Sequence, residues 1–270
     1  MTGGTEYAGR GDPRRSLELL WRRTTAATRG PKPASSIDEI VDAAVRVADV
    51  EGLAGLSMRK VAEQLGRSVM SLYTYVPGKS ELLDLMVDAA IAEAVPPRRP
   101  PDAPWRDAVE GFARQLWSMY ERHPWVLQIA GARAALGPNE FDHLEAATAI
   151  VDDIGLSGPD MWRVVNVVRG YVRGAAKAVA DATEAERVTG ISDDEWWAAR
   201  APLLTDLSAS GDHPTLGRLS ADGTFSQEHR DPDDSRPYTA FEALDSFEFG
   251  LQRLLDGIAA YVGGGAPRPD

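Results

Sequence analysis

The sequence predicts an all-α protein: an N-terminal three-helix unit containing a helix-turn-helix, then a larger helical region. Three observations carry that reading. Apolar residues recur at three- and four-residue spacing through most of the chain, and no convincing strand appears. Serine caps and Gly or Pro stops punctuate these stretches at Ser36, Gly52, Ser57, Gly66, Ser68 and Pro77. Leu56–Leu65 (LSMRKVAEQL) and Gly66–Lys79 (GRSVMSLYTYVPGK) read as two short helices around a tight glycine turn. The second helix of such a pair can enter the major groove of DNA.

Residues 1–34 mix Gly, Pro, Arg and Ser around one apolar patch, Leu17–Trp21, expected to form a helical turn that docks on the body. The segment after it, Arg22–Lys32, reads as extended, because Pro31 and Pro33 disfavour helix. A first firm helix starts at Ser36, where Ser36 and Glu39 have the spacing of a capping box. Ile37, Ile40, Val41, Ala44, Val45 and Ala48 form its expected apolar stripe, and Gly52 its end. Ser57 caps the next helix, with Val61, Ala62 and Leu65 inward. Ser68 opens the recognition helix, which Pro77 stops; Leu72 and Val76 lie four apart and face inward. Met70, Ser71, Tyr73, Thr74 and Tyr75 then fall largely on other faces. A connector follows, with Leu82, Leu83, Met86, Val87, Ala90 and Ile91 on one side, up to the proline-rich break at 96–101.

Beyond the break, helices are expected over Trp105–Arg122, Trp125–Ala135, about 137–154 and 160–184, and from Ser192 through Leu204. Residues 208–237 read as a long connection with one turn near Leu216–Leu219, and Ala240–Val262 as the last helix.

Composition narrows the function. The 270 residues carry no cysteine, hence no disulfide or thiolate site, and the four histidines (123, 143, 213, 229) are too scattered for a metal cluster. No cofactor and no metal are expected. No long apolar run or signal-peptide core appears, so the expectation is a cytoplasmic protein with no membrane partner. The net charge of −12 argues against a general coat for nucleic acid. Its distribution matters more: residues 1–34 hold seven basic and three acidic residues, a net +4, which leaves −16 for the rest. A basic arm on an acidic body fits site-specific DNA binding.

Residues 37–86 resemble the DNA-binding domain of the tetracycline-repressor (TetR) family of bacterial regulators. The specific parts are EGL before the Ser57 cap, RKVAEQLG, and SLYTYVPGKSELL. The resemblance implies that Arg59 reaches a base edge, that Val69, Met70, Ser71, Thr74 and Tyr75 occupy recognition positions, and that Tyr73 and Lys79 contact phosphate. Ser68 belongs to the same DNA-binding set. Spacing alone turns Val69 inward, whereas the family pattern turns it toward DNA. Arg67 departs from the family's small apolar residue and offers a further phosphate contact. Residues 102–262 resemble the C-terminal region of the tetracycline repressor itself, through His123-Pro124, Gly137-Pro138-Asn139, His143-Leu144-Glu145 and FEFGLQRLLDGI at 247–258.

Three regions are expected: from composition, a flexible basic arm (1–34), and, as the resemblance implies, a helix-turn-helix DNA-binding domain (35–84) and an effector-binding and dimerisation domain (85–270). The resemblance implies a homodimer on a palindromic double-stranded operator and a small-molecule effector. The long helix and the last helix are the expected dimer faces, with Gly170, Gly174, Ala175, Ala176 and Ala178 permitting close approach. Trp117, Tyr120, Trp125, Met161, Trp162, Asn166, Arg169, Trp196 and Trp197 are the candidate ligand residues. The tetracycline repressor's metal-coordinating histidine has no counterpart in Gly131–Pro138 (GARAALGP), which argues against a magnesium–drug chelate. Two other classes stand beside this reading. An effector-independent regulator or activator shares the fold; an enzyme would draw on the acidic clusters 152–153, 193–195 and 231–234, yet no phosphate loop or Ser/His/Asp motif accompanies them.

Overall fold

The computed structural model describes residues 6–7, 11–21, 36–130, 134–209, 211–225 and 236–264. Within these the chain is helical: α1 (Pro13–Leu20), α2 (Ile37–Gly55), α3 (Met58–Gln64), α4 (Val69–Tyr73), α5 (Lys79–Ala92), α6 (Trp105–Arg122), α7 (Pro138–Ala149) and α8 (Gly158–Thr189). Then come α9 (Asp193–Ala198), α10 (Ala201–Ala209), α11 (Pro214–Ala221) and α12 (Tyr238–Gly263). Two compact units emerge, residues 1–173 with 251–270 and residues 174–250, and both α8 and α12 run from one into the other.

The first unit begins at α1, capped by Asp12, with Leu19 and Leu20 buried and α5 as its neighbour. The apolar patch at 17–21 therefore docks, as its composition suggests. Trp21 anchors it by donating its indole N–H to the Leu136 carbonyl at 2.9 Å and meeting Phe141 edge-on. The basic stretch 22–35 lies outside the described residues. Strand pairing was not expected, yet Glu6–Tyr7 (β1) pairs in parallel with Ile129–Ala130 (β2).

In α2 the Ser36/Glu39 capping box forms in both directions. Its buried face is Ile40, Val41, Ala43, Ala44, Val47 and Ala48, so Ala43 and Val47 join the core while Ile37 and Val45 stay half-exposed. Gly52 sits at a φ of 71° and kinks the helix, which resumes for one more turn. On α5 the expected apolar residues are all buried, and so are Asp84 and Asp88, two acids that periodicity alone assigns to solvent. Asp88 accepts hydrogen bonds from the Glu140 backbone (3.0 Å) and the Asn139 side chain (3.0 Å), and so caps the first turn of α7. That turn starts at Gly137, where a Cβ would stand 2.1 Å from Asp88 Oδ1.

The segment after α6 corrects the expected helix over 125–135. It is a 3-10 helix, Pro124–Gln128, followed by β2. Pro124 at its start and the inward anchoring of Trp125, Val126 and Leu127 hold it in the tighter form. On α8, Val165, Val168 and Val172 are buried, while on the C-terminal part of α12 it is Leu251, Leu255 and Ile258.

In the second unit, the helix expected from Ser192 through Leu204 is split into α9 and α10 near Ala199–Arg200. Trp196 and Trp197 meet edge-to-face at 4.9 Å, and Trp197 meets Tyr238 likewise at 6.2 Å. Asp193 accepts from the Thr239 backbone (2.6 Å) and hydroxyl (3.1 Å), capping α12. The turn expected at 216–219 is the longer helix α11.

Candidate nucleic-acid interface

Three local devices build the reading head. The Ser57 hydroxyl accepts from the Lys60 backbone (3.3 Å) and starts α3. Gly66, at φ 63°, then turns the chain through the left-handed region that side chains disfavour. The Ser68 hydroxyl accepts from the Ser71 backbone at 3.2 Å and opens α4. Helix α4 is only five residues long and ends well before Pro77, at Tyr73, with Thr74 as its C-cap. Such a short helix holds its place by packing, not propensity. Leu72 and Val76 supply that packing at 1% and 0% exposure.

The outward face follows from this anchoring. Met70 is 75% exposed and Tyr73 42%. Arg59, Arg67, Ser68 and Thr74 are also exposed, while Val69, Ser71, Tyr75 and Lys79 are half-buried. The opposing expectations for Val69 meet in the middle: its side chain lies at the edge of the core and of the outer face. Two hydroxyls are spent on the helix itself, since Ser71 donates to the Ser68 carbonyl and Thr74 to the Ser71 carbonyl, both at 2.6 Å. Both retain acceptor capacity for a base edge. Arg59 donates to Glu63 at 2.8 Å across one turn, and that bond raises its pKa further, so it meets any ligand fully charged. To fork onto a guanine it must exchange Glu63 for the base.

The candidate ligand residues divide between the units. In the first, Trp117, Tyr120 and Trp125 are buried, Met161, Asn166 and Arg169 are half-buried, and Trp162 is exposed. The Trp125 indole N–H is committed to Asp49 (2.7 Å), and the Asn166 amide donates to the Trp162 carbonyl (2.9 Å). Tyr120 lies under the Arg173 guanidinium at 5.9 Å, and Arg173 also donates to the Ile129 carbonyl at 2.6 Å. In the second unit, Trp196 is exposed beneath the Arg200 guanidinium at 3.8 Å, and Trp197 is half-buried. Sequence reasoning missed Asp49, Asp88 and Arg173. For Asp88 a signal existed: an acid four residues after Asp84 on a helix otherwise apolar over that face. No helix among the described residues is long and apolar enough to cross a membrane.

Comparison with known proteins agrees with this geometry. Residues 40–86 match the family described as bacterial regulatory proteins, tetR family, and residues 96–262 match the tetracyclin repressor-like C-terminal domain. The chain is 45% identical over 260 residues to the HTH-type transcriptional repressor DrrR1 of Streptomyces coeruleorubidus, covering 96% of this chain and 90% of that protein. It is 32% identical over 247 residues to an HTH-type transcriptional regulator of Saccharopolyspora erythraea, covering 90% and 92% respectively. Among solved structures, the TetR family protein ActR of Streptomyces coelicolor in complex with actinorhodin matches with a TM-score of 0.67 at 26% identity, over 87% of this chain and 100% of that one. With an exposed, serine-capped second helix in its helix-turn-helix and both family regions matched, this chain belongs to the tetracycline-repressor family and is a DNA-binding transcriptional regulator, not an enzyme.

Proposed function

We propose that the chain acts in the cytoplasm as a homodimeric repressor of a palindromic operator, released when a small organic effector binds its C-terminal helical region. The observation that carries the DNA half of this reading is the outward face of α4, exposed on the buried ridge of Leu72 and Val76. Met70, Thr74, Ser71, Tyr75 and Val69 read bases in the major groove, with Arg59 reaching in from α3. Tyr73, Lys79, Arg67 and Ser68 fix the register on phosphates.

Dimerisation is supported by apolar and smooth surface left open in a single chain. Gly170, Gly174 and Ala178 recur every fourth residue on α8 and all face outward. On α12, Phe249 is 67% exposed. For the effector, support comes from likeness, since ActR has been seen holding actinorhodin. Effector binding lowers operator affinity by its differential affinity for the two dimer geometries. A gel shift with the DNA upstream of the protein's own gene tests the repressor reading. Retardation there, resistant to excess unrelated duplex, is the expected result; no shift there or on neighbouring promoters would overturn it.

A further inference from the structure

A polar cluster lies apart from the proposed DNA-contacting residues, buried at His123 and Trp125 and open to the surface at Asp49 and Glu93. His123, which ends α6, is 6% exposed, and Trp125 in the 3-10 helix is 1% exposed. His123 Nδ1 stands 2.7 Å from Asp49 Oδ1, and Trp125 Nε1 donates to that same oxygen at 2.7 Å. A carboxylate only accepts, so His123 carries its proton on Nδ1. On the other side of the ring, Nε2 lies 3.3 Å from Glu93 Oε1, at the C-cap of α5, and Arg122 holds Glu93 at 2.8 Å. One imidazole thus touches carboxylates from two helices that flank the helix-turn-helix on either side in sequence, α2 and α5.

The position of Asp49 on α2 gives the cluster its consequence. Asp49 lies three residues before the Gly52 kink, the point from which the chain turns into α3 and then α4. Holding Asp49 therefore fixes the last rigid turn of α2 against the end of α6. Glu93 only closes over the other edge of the ring, where Nε2 is buried without a hydrogen-bond partner, so the tether is the one to Asp49. A two-fold protein reads two half-sites at a separation set by how each reading head sits on its own body. Loosening the seat leaves every base and phosphate contact chemically intact and blurs the separation.

We propose that His123 is a positioning residue for operator binding: with Trp125 it clamps Asp49, and so sets the half-site spacing the protein accepts. The proposal rests on the operator-binding reading, and the experiment separates the two. Duplexes are enriched from a random library with the wild-type chain. Affinity is then measured by fluorescence anisotropy over a salt series, on the enriched duplex and on versions with one or two base pairs inserted between the half-sites. His123→Phe and Asp49→Ala bind the enriched duplex more weakly, by roughly three- to thirty-fold, with the wild-type salt slope and a smaller penalty for inserted base pairs. Asp49→Asn, which keeps an acceptor for Trp125, recovers part of the loss. Lys79→Ala serves as the contrast, lowering the salt slope and leaving the spacing penalty unchanged. Should His123→Phe lose its helical circular dichroism, the two variants at the surface residue Asp49 decide alone. Wild-type affinity in folded variants, or weakened affinity with an unchanged spacing penalty, overturns the clamp. Failure to enrich any sequence overturns operator binding instead.

Discussion

Single residues show where sequence is a sufficient guide. The caps at Ser36, Ser57, Ser68 and Ser192 all form as their spacing indicates, because a cap bonds a backbone only three residues away. The Asp49–His123 contact spans 74 positions, and no local rule announces it. His143 is similar: burial, helped by the nearby Arg169 charge, pushes its pKa down to about 4, while its Nδ1 meets the Ala94 carbonyl at 2.9 Å. The unfolded imidazole takes up its proton near pH 6.5 and the folded one does not. Stability is therefore complete above pH 6.5 and is lost as pH falls toward 4, by roughly 3 kcal/mol from this one group. Urea unfolding at stepped pH, compared with His143→Gln, measures that difference as a flatter profile in the variant. At the DNA face, Lys79→Ala and Tyr73→Phe weaken binding to all duplexes alike, whereas changes at Met70 or Thr74 alter sequence preference. Competition binding against a library of single-base operator variants distinguishes the two outcomes, and intact preference in the Met70 and Thr74 variants would remove them from the base-reading set.

Among elements, the long amphipathic helices were legible and the short ones less so. Helix α6 buries Val109, Phe112, Leu116, Trp117 and Tyr120, the stripe its spacing gives. The 3-10 helix at 124–128 was misread as α because its form depends on Pro124 and on Trp125 reaching Asp49. The split of α9 from α10 did have a breaker in its sequence, Pro202, which fits the first turn of a new helix and not the middle of a continuous one. Junctions between elements carry their own prediction. Gly137→Ala places a Cβ against Asp88 and disturbs the cap it supplies to α7, at a cost of about 1–3 kcal/mol. Thermal melting of the variant checks this, and an unshifted midpoint would mean that Asp88 moves aside freely. Ser68→Ala costs about 1 kcal/mol from the loss of one cap. Because α4 has only five residues, hydrogen exchange at Ser71 and Leu72 should report the loss locally.

For the molecule as a whole, charge and function have to be reconciled. A net −12 opposes DNA, so binding depends on a small positive footprint rather than an average field. Few phosphate contacts predict a shallow salt dependence, with a slope of about −0.9 for each phosphate neutralised. The two short helices of the reading head were legible from their serine caps and the family pattern, because both are linear features. The buried junction of α2, α5 and α6 was not, since it exists only once the helices pack. The measurement that bears most directly on the central claim is enrichment of random duplexes by the wild-type chain. The account predicts an inverted repeat, with half-sites separated by about one helical turn or a multiple of it. Enrichment of no sequence over the input, or of one without two-fold symmetry, would contradict it.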